Sequence, residues 1–396
     1  MNVLIEFFDK EQIENVNACL NYKFDKVYFY GHAKKMGKSK KKAVTSVLME
    51  KCGMENKNIF YKDVSVTNFD KIVDTIAEDI QKEINAGNAC FFDLTGGQDI
   101  ILAAMGALSE RYSLPMFQTD IRTGNEITVN MGGKSLADFV EKDVKKLNVE
   151  EYIKLLGGVI NYDKQESHIM KHPDMEGMRK DVKCMYDLAM INPSKWNGFT
   201  SVFRGLSKYF CGTTTLIVYD EDLDGMFKKP GNMSSEREFN SYVQHLLDDG
   251  IITEFSDEIE EGTSKLKKTI KFKNYEIVEC ITKSGDFLEL ETYYERKESG
   301  KYDDVRVSIY IDWDGVIQES GPDVYNEIDV VTIKDNIPTF TSCKNNEIDK
   351  PVFYELDAVT ARFGNKYINR EVTTTCPVKA SNKLRAEEME IRLNIL

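Results

Sequence analysis

The chain has 396 residues, of which 41% are hydrophobic and 30% charged, and this composition predicts a soluble globular protein of two or three domains. The net charge of −14 argues against a protein that coats nucleic acid with its whole surface, but it is compatible with a local basic groove or a metal-assisted site. The sequence shows no signal peptide, no apolar run long enough for a bilayer and no CxxC pair, so we expect a reducing cytoplasm, no membrane contact and neither structural zinc nor disulfides.

Residues 1–150 alternate between strand and helix patterns. Apolar runs of strand length, such as NVLIEFF and NACFFDL, are separated by amphipathic stretches such as FDKIVDTIAEDIQKEINAG. This alternation predicts a parallel, doubly wound α/β sheet. The segment HAKKMGKSKKKAV is strongly basic; it is typical of a solvated helix face, and attraction of phosphate is the alternative.

A Thr-Gly-Gly turn follows the strand NACFFDL and precedes the helix IILAAMGALSERYS. Two glycines let a backbone approach a ligand, and a helix N-terminus offers free N–H groups to an anion at the carboxyl edge of such a sheet. The turn is neither a Walker loop nor a GxGxxG loop. It predicts either a ligand site or a tight strand-to-helix connection.

Residues 151–275 begin with helical patterns and continue with a helix, a glycine stop and two strands, in REFNSYVQHLLDDGIITEF and LKKTIKFKN. This order is winged-helix-like. The connection between the strands, SDEIEEGTSK, is acidic, which is unfavourable for contact with DNA. We therefore interpret this region as a structural linker.

Residues 276–396 are predicted to form a C-terminal α/β domain. A helix (GDFLELETYYERK) and a strand-rich stretch (KYDDVRVSIYID) precede the hairpin NEIDVVTIKDNIPTFTSCKN. A second helix (KPVFYELDAVTAR), a strand (KYINREVTTT) and a last helix (SNKLRAEEMEIRL) follow it.

The hairpin carries charged residues where apolar ones are expected. A two-residue turn within residues 334–336 places Asp329 opposite Ser342 and Glu327 opposite Lys344, all on one face. One interpretation is a solvated face with a Glu327–Lys344 salt bridge. The other is a nuclease site, in which carboxylate and carbonyl oxygens hold Mg²⁺ or Mn²⁺ and the lysine stabilises negative charge.

The motifs GDFLE, NEID and SCK resemble, in this order, the restriction-endonuclease-like PD-(D/E)xK nuclease core. The resemblance implies that Glu289, Asp329 and the backbone carbonyl of Cys343 bind the metal and that Lys344 is the catalytic lysine. Ser342, the remaining member of the implied catalytic set, stands where the broad family pattern has Asp or Glu. This departure removes one carboxylate from the implied metal site.

The Thr-Gly-Gly turn and the loop DKEQIEN after the first strand resemble the CRISPR-associated Rossmann-fold (CARF) sensor domain. The resemblance implies a symmetric homodimer that binds a cyclic oligoadenylate across its two-fold axis. The implied ligand-binding residues are Asp9, Gln12, Thr95, Gly96, Gly97 and Gln98. The family pattern often has a lysine after the turn; this chain has Gln98-Asp99, so we expect binding to rest on backbone amides, Thr95 and Gln98.

The chain thus combines a CARF-like N-terminal region, a winged-helix-like central region and a PD-(D/E)xK-like C-terminal region. This combination resembles the CRISPR ancillary nucleases of type III systems. The resemblance implies antiviral defence by a nuclease that cyclic tetra-adenylate activates and that nicks or cuts DNA, sometimes RNA. One alternative is a non-enzymatic, cyclic-oligoadenylate-responsive transcription regulator that uses the winged-helix-like region, but its helix carries few basic residues. Another is a small-molecule enzyme, although the four histidines fall in no catalytic pattern.

Overall fold

The computed structural model describes residues 1–64, 67–210, 212–263, 265–283, 285–312, 314–317, 324–362 and 366–396. These residues form three sheets with helices packed around them, so the predicted α/β class is confirmed. In this described part of the chain, no helix is long and apolar enough to cross a membrane.

The first sheet has the strand order β3-β2-β1-β4-β5-β6, and β6 is its antiparallel member. The strand order reverses between β1 and β4. The carboxyl ends of these two strands are therefore the expected binding crevice of a doubly wound sheet. Its strands are β1 (Asn2–Phe7), β2 (Lys26–Gly31), β3 (Ile59–Asp63), β4 (Ala89–Asp93), β5 (Met116–Thr119) and β6 (Glu126–Val129). Its helices are α1 (Glu14–Asn21), α2 (Lys38–Glu50), α3 (Phe69–Asn85) and α4 (Asp99–Tyr112).

The middle of the chain contains an antiparallel three-stranded sheet in the order β8-β10-β9. One helix, one strand, two helices and a hairpin follow each other from α8 to β10, which is the element order of a winged helix. The elements up to α8 are α5 (Val149–Leu155), β7 (Val159–Ile160), α6 (His168–Lys171), α7 (Met178–Ile191) and α8 (Pro193–Gly205). Those that follow are β8 (Thr215–Tyr219), α9 (Asp220–Phe227), α10 (Glu236–Asp248), β9 (Ile252–Ile259), β10 (Leu266–Phe272) and α11 (Tyr275–Thr282).

The third sheet has the order β15-β14-β13-β12-β11-β7, antiparallel from β7 to β13 and parallel from β13 to β15. Helix α12 packs on β11, β12 and β13, which brings it over the predicted hairpin. The elements are α12 (Asp286–Glu298), β11 (Asp304–Asp312), β12 (Tyr325–Lys334), β13 (Ile337–Lys344), α13 (Lys350–Arg362), β14 (Asn369–Thr374), α14 (Ala380–Glu388) and β15 (Ile391–Ile395).

Two details differ from the sequence analysis. The predicted last helix ends at Glu388, because Glu390 adopts a φ of 54° and the chain continues as strand β15. In addition, β7 belongs to the third sheet, although its residues fall in the predicted middle region. The predicted domain boundaries at 150 and 275 stay a prediction.

One hydrophobic core connects the first sheet with the third. It contains Leu4 and Phe29 on one side, Tyr152 of α5 in the middle, and Ile311 and Val331 on the other side. All five are 1% exposed or less. A shared dry core of this kind resists independent movement of the two sheets, because close-packed interiors transmit displacement.

Candidate functional site

The β12–β13 hairpin has the predicted turn and register. Asp335 and Asn336 have φ values of 51° and 61°, which is the left-handed pair of a two-residue hairpin turn. The ladder runs from the Lys334–Ile337 pair to the Val330–Thr341 pair. Continued by one position, this register places Asp329 opposite Ser342, as the alternation of the strands predicts.

The hairpin opens beyond that ladder, and Asp329 fills the opening. Its Oδ2 accepts hydrogen bonds from the backbone N–H of Cys343 at 2.6 Å, from Ser342 Oγ at 3.3 Å and from Lys344 Nζ at 3.4 Å. The side chain of Asp329 is 15% exposed and that of Lys344 is 36% exposed. Ser342 and Lys344 therefore both bind Asp329 Oδ2, so three of the predicted catalytic residues meet in one partly buried site.

Glu327 and Lys344, which the solvated-face interpretation paired with each other, have other partners in the structure. Lys344 pairs with Asp329, and Glu327 accepts a hydrogen bond from Ser308 Oγ at 2.5 Å. The face therefore carries a cross-strand ion pair in which Asp329, and not Glu327, is the acid.

Glu289 lies in the first turn of α12, close enough to Asp329 and Lys344 for the charges of both to act on it. Its helical neighbours Leu288 and Leu290 are fully buried, which fixes the orientation of the helix. Burial raises the pKa of the Glu289 carboxyl well above its usual range, and the negative charge of Asp329 raises it further. Burial also raises the pKa of nearby Asp286 to about 7. These carboxyl groups repel each other, and a cation between them would relieve the repulsion.

The site offers a small number of oxygen ligands, which suit a hard cation. Glu289 and Asp329 offer carboxylate oxygens, and the peptide of Cys343 lies beside Asp329, to which its N–H is bonded. Oxygen ligands of this kind are those that Mg²⁺ and Mn²⁺ prefer, and Mg²⁺ keeps several waters when the protein supplies few ligands. In the described ranges, no three His, Cys, Asp or Glu side chains converge on one metal position.

The site opens to solvent through a cleft of about 220 Å³ between the hairpin and α13. Glu327, Asp329, Ser342 and Lys344 line one wall, and Glu355 belongs to the opposite wall. A substrate group that enters this cleft meets the lysine and the aspartate together.

A buried ion-pair network positions α12 above the hairpin. The Arg296 guanidinium donates to Thr341 Oγ1 at 2.7 Å and to the carboxylate of Glu371, which also accepts from Arg392. Arg296 comes two turns after Glu289 on the same helix, so these bonds hold the helix at a fixed position along the sheet.

At the first sheet, the structure brings the Thr-Gly-Gly turn against the DKEQIEN loop. Asp93, at the end of β4, accepts hydrogen bonds from the Thr95 N–H at 2.7 Å and the Thr95 hydroxyl at 2.5 Å. The N–H of Gly97 donates to Asp9 Oδ2 at 3.1 Å. Gly97 has a φ of 141°, and at Gly96 a Cβ atom would lie 2.8 Å from Glu14 Oε2. Gly97 therefore requires glycine, and a side chain at Gly96 would force Glu14 or Asp9 to move.

Gln12 and Gln98 occupy different settings in this pair of loops. The Gln12 side chain is buried and donates to the backbone oxygens of Asp9 at 3.4 Å and Lys10 at 3.0 Å, so it stabilises the loop from inside. Gln98 is half-buried at the N-cap position of α4 and makes no side-chain capping bond. Asn15, which the sequence analysis did not consider, also bonds Asp9, accepting from its N–H at 2.6 Å.

Two buried acids lie beneath the turn. Glu6 and Asp93 are cross-strand neighbours at the ends of β1 and β4 and are 3% and 1% exposed. Burial raises the pKa of Asp93 to about 7; burial and then the charge of Asp93 raise the pKa of Glu6 well above its usual range. The sequence signal for this pair is an acid near the end of each of two apolar strands.

The loop region is connected to the third sheet by polar contacts. The buried carboxylate of Glu14 accepts hydrogen bonds from Lys366 Nζ at 2.5 Å and Tyr367 OH at 2.6 Å. Arg122 donates to Asn369 Oδ1 at 3.0 Å and to the backbone oxygen of Lys366 at 2.5 Å. These residues precede or begin β14, so the N-terminal part of the chain contacts the strand beside the β12–β13 hairpin.

No protein-family model matches the chain, and a search of curated proteins gives no significant match. Two solved structures match over 99% of this chain and 93% of their own chains. Protein VC1899 from Vibrio cholerae has a TM-score of 0.74 at 14% identity. Can2 from Sulfobacillus thermosulfidooxidans, solved in complex with cyclic tetra-adenylate, has a TM-score of 0.65 at 16% identity. The chain therefore shares its fold with both proteins over nearly its whole length.

Proposed function

We propose that this chain is a metal-dependent nuclease activated by cyclic oligoadenylate, with cyclic tetra-adenylate as the activator, in type III CRISPR defence. The observation that carries the proposal is the group of Asp329, Lys344 and Glu289 at the open end of the β12–β13 hairpin. The shared fold with Can2, which was solved in complex with cyclic tetra-adenylate, supports the choice of activator. The proposed substrate is DNA, and RNA is a second substrate to test.

In this proposal Glu289, Asp329 and the Cys343 carbonyl hold Mg²⁺ or Mn²⁺. When bound, the cation polarises the scissile phosphate and lowers the pKa of water. Lys344 contacts negative charge on the phosphate: burial disfavours its charged form, but the carboxylates of Asp329 and Glu289 outweigh burial and raise its pKa. Ser342 donates to Asp329 and keeps that carboxylate oriented.

The proposed activator site is the crevice at the ends of β1 and β4, formed by Asp9, Gln12 and the turn at residues 95–98. Helix α4 begins at Asp99 directly after this turn, and the positive end of a helix dipole suits the phosphates of a cyclic oligoadenylate. We place a second copy of the chain across the ring, as a homodimer. A ring that binds two arrangements of these loops with different affinity shifts their populations and can thereby control a distant site.

The contact path from this crevice to the hairpin is short. Gly96 lies against Glu14, and Glu14 binds Lys366, which precedes β14. Strand β14 pairs with β13, and its Thr374 is the register partner of Lys344. This path is the proposed route of control between ring and nuclease site.

The winged-helix-like region offers little for the alternative of a DNA-binding regulator. The first turn of α10 carries Glu236 and Glu238, and Lys268 is 2% exposed and paired with Asp220, Glu236 and Asp257. A recognition helix with an acidic first turn would repel the phosphate backbone. The contacts of this region favour a structural linker.

The test is cleavage of supercoiled plasmid and of labelled single strands with Mn²⁺, with and without cyclic tetra-adenylate. We expect ring-dependent cutting by the wild type and by Lys334→Ala, whose exposed lysine lies at the far end of β12. Asp329→Asn and Lys344→Ala should each cut at least a hundredfold more slowly. Equal cutting by these variants and the wild type would refute the assignment of the hairpin.

A further inference from the structure

Ser308, in the middle of β11, has an unusual backbone conformation. Its φ is 46°, although Val307 and Ile309 on either side pair regularly with Val330 and Ile328 of β12. This register places Ser308 opposite Asp329. A left-handed serine within a strand is strained, and such residues persist only where their surroundings fix them.

Gln165 is the residue that fixes it. Its Nε2 donates to the backbone oxygen of Ser308 at 2.9 Å and to Ser308 Oγ at 2.6 Å, while its Oε1 accepts from the N–H of Ser167 at 2.9 Å. Gln165 and Ser308 are 7% and 6% exposed. The amide is therefore held inside the protein and determines the direction of the Ser308 hydroxyl.

The Ser308 hydroxyl points to Glu327, donating to its Oε1 at 2.5 Å. Glu327 precedes Asp329 by two positions on β12, so both side chains lie on one face. Glu327 lines the same cleft as Asp329 and Lys344, and its charge acts on Glu289. The strained serine thus holds an additional carboxylate at the edge of the proposed active site.

We propose that Glu327 is a further carboxylate of this active site and that Gln165 and Ser308 are its positioning residues. The inference rests on the proposed function. Ser342 leaves the hairpin without one carboxylate, and in the described part of the chain no three acidic side chains converge on one metal position. Glu327 therefore acts in the outer layer of the site, where it accepts hydrogen bonds from water held in the cleft. Loss of outer partners of this kind costs about 10- to 100-fold in metal affinity or activity.

A purely structural role for Glu327 predicts a different result, and one substitution separates the two. In Glu327→Gln the side-chain oxygen still accepts the hydrogen bond from Ser308, but the negative charge is lost. A structural partner of Ser308 would tolerate this change, whereas a charged group of the active site would not. Ser308→Ala makes the complementary change, because it keeps the charge of Glu327 and removes the hydrogen bond from Ser308, leaving Tyr310 as a partner of the carboxylate.

The experiment measures Mn²⁺ binding by electron paramagnetic resonance and ring-activated cleavage for the wild type, Glu327→Gln, Ser308→Ala and Asp329→Asn, with thermal unfolding as the folding control. We expect Glu327→Gln to lose at least tenfold in Mn²⁺ affinity and in rate while staying folded. Ser308→Ala should lose less in the same direction. Wild-type affinity and rate in Glu327→Gln would overturn the inference.

Asp329→Asn separates a failure of this inference from a failure of the proposed function. If Asp329→Asn loses Mn²⁺ and cutting while Glu327→Gln keeps both, only the role of Glu327 is wrong. If Asp329→Asn also keeps Mn²⁺ binding and cutting, the hairpin is not the active site, and the proposed role of Glu327 is wrong as well.

Discussion

Glu14 and Lys366 lie 352 positions apart in the sequence, yet Lys366 Nζ is 2.5 Å from Glu14 Oε1. The Glu14 side chain is 3% exposed, so its carboxylate depends on this partner and on Tyr367. Burial raises the pKa of Glu14, and the bonds from Lys366 and Tyr367 oppose that rise. The contact joins the turn that is the proposed ring site to the strand beside the proposed nuclease site.

Lys366→Ala should uncouple ring binding from cutting. The substitution removes the cation that connects Glu14 with the start of β14, while Asp329 and Lys344 remain in place. We expect the affinity for cyclic tetra-adenylate to stay within a few-fold and the ring-dependent rate to fall at least tenfold. Ring titration and plasmid nicking measure the two quantities. Lys383→Ala, an exposed lysine on α14, is the matched control, and an unchanged rate in Lys366→Ala would exclude this path.

Gly96→Ala should weaken the binding of cyclic tetra-adenylate, although the substitution adds only one methyl group. The new Cβ atom would lie 2.8 Å from Glu14 Oε2 and 3.1 Å from Asp9 Cβ, so the turn or the loop must move. The control is Gly106→Ala in α4, where a Cβ atom meets nothing within 4 Å. Alanine in a helix interior is favoured over glycine by about 1 kcal/mol, so the control should be neutral or more stable. Wild-type ring affinity in Gly96→Ala would show that the ring does not contact this turn.

Asp93 should make the protein less stable as the pH rises from 5 to 8. Burial raises its folded-state pKa to about 7 from the ordinary 3.8, so between these values the folded chain holds a proton that the unfolded chain has released. Stability is greatest below this window and is lost as the pH rises through it. Asp93→Asn retains an oxygen for Thr95 and should reduce the loss between pH 5 and 8 by on the order of 2 kcal/mol. Urea unfolding at the two pH values measures it; an identical pH dependence in both proteins would contradict the assignment.

Arg296 and Arg392 allow a matched test of burial, since both bind Glu371. The Arg296 side chain is 9% exposed and that of Arg392 is 67% exposed, while Glu371 is 1% exposed. Removal of one partner from a buried ion pair costs about 3–5 kcal/mol, and the cost is smaller for Arg392, because its charge is already largely solvated and Glu371 keeps Arg296. We therefore expect urea unfolding to show a large loss of stability for Arg296→Met and a small one for Arg392→Met. Equal losses would mean that the network does not hold α12 on the sheet.

The hairpin shows how far local patterns determine a site. The Asp335-Asn336 turn fixes the register, and the period of two then places Asp329 and Ser342 together, so this part of the site was predictable from the sequence. The partner of Lys344 was not predictable in this way, because the strands separate beyond Val330 and the lysine contacts Asp329 in place of Glu327. The point at which a ladder ends is not encoded in the alternation of the strands.

Contacts between distant parts of the chain were the least predictable. Gln165, Ser308 and Glu327 belong to three separate segments, and the left-handed φ of Ser308 leaves no signal in a sequence of ordinary strand character. The contact of Glu14 with Lys366 likewise depends on the packing of the first and third sheets around one core. Tertiary packing, which decides both cases, overrides local propensity.

The most direct measurement is the rate of plasmid nicking in Mn²⁺ by one preparation of the protein before and after addition of cyclic tetra-adenylate, beside Asp329→Asn. We expect negligible nicking before addition, a large increase after it, and no increase in Asp329→Asn at the same ring concentration. Nicking at the same rate with and without the ring, or a ring-dependent increase that Asp329→Asn retains, would contradict the proposal of a ring-activated nuclease.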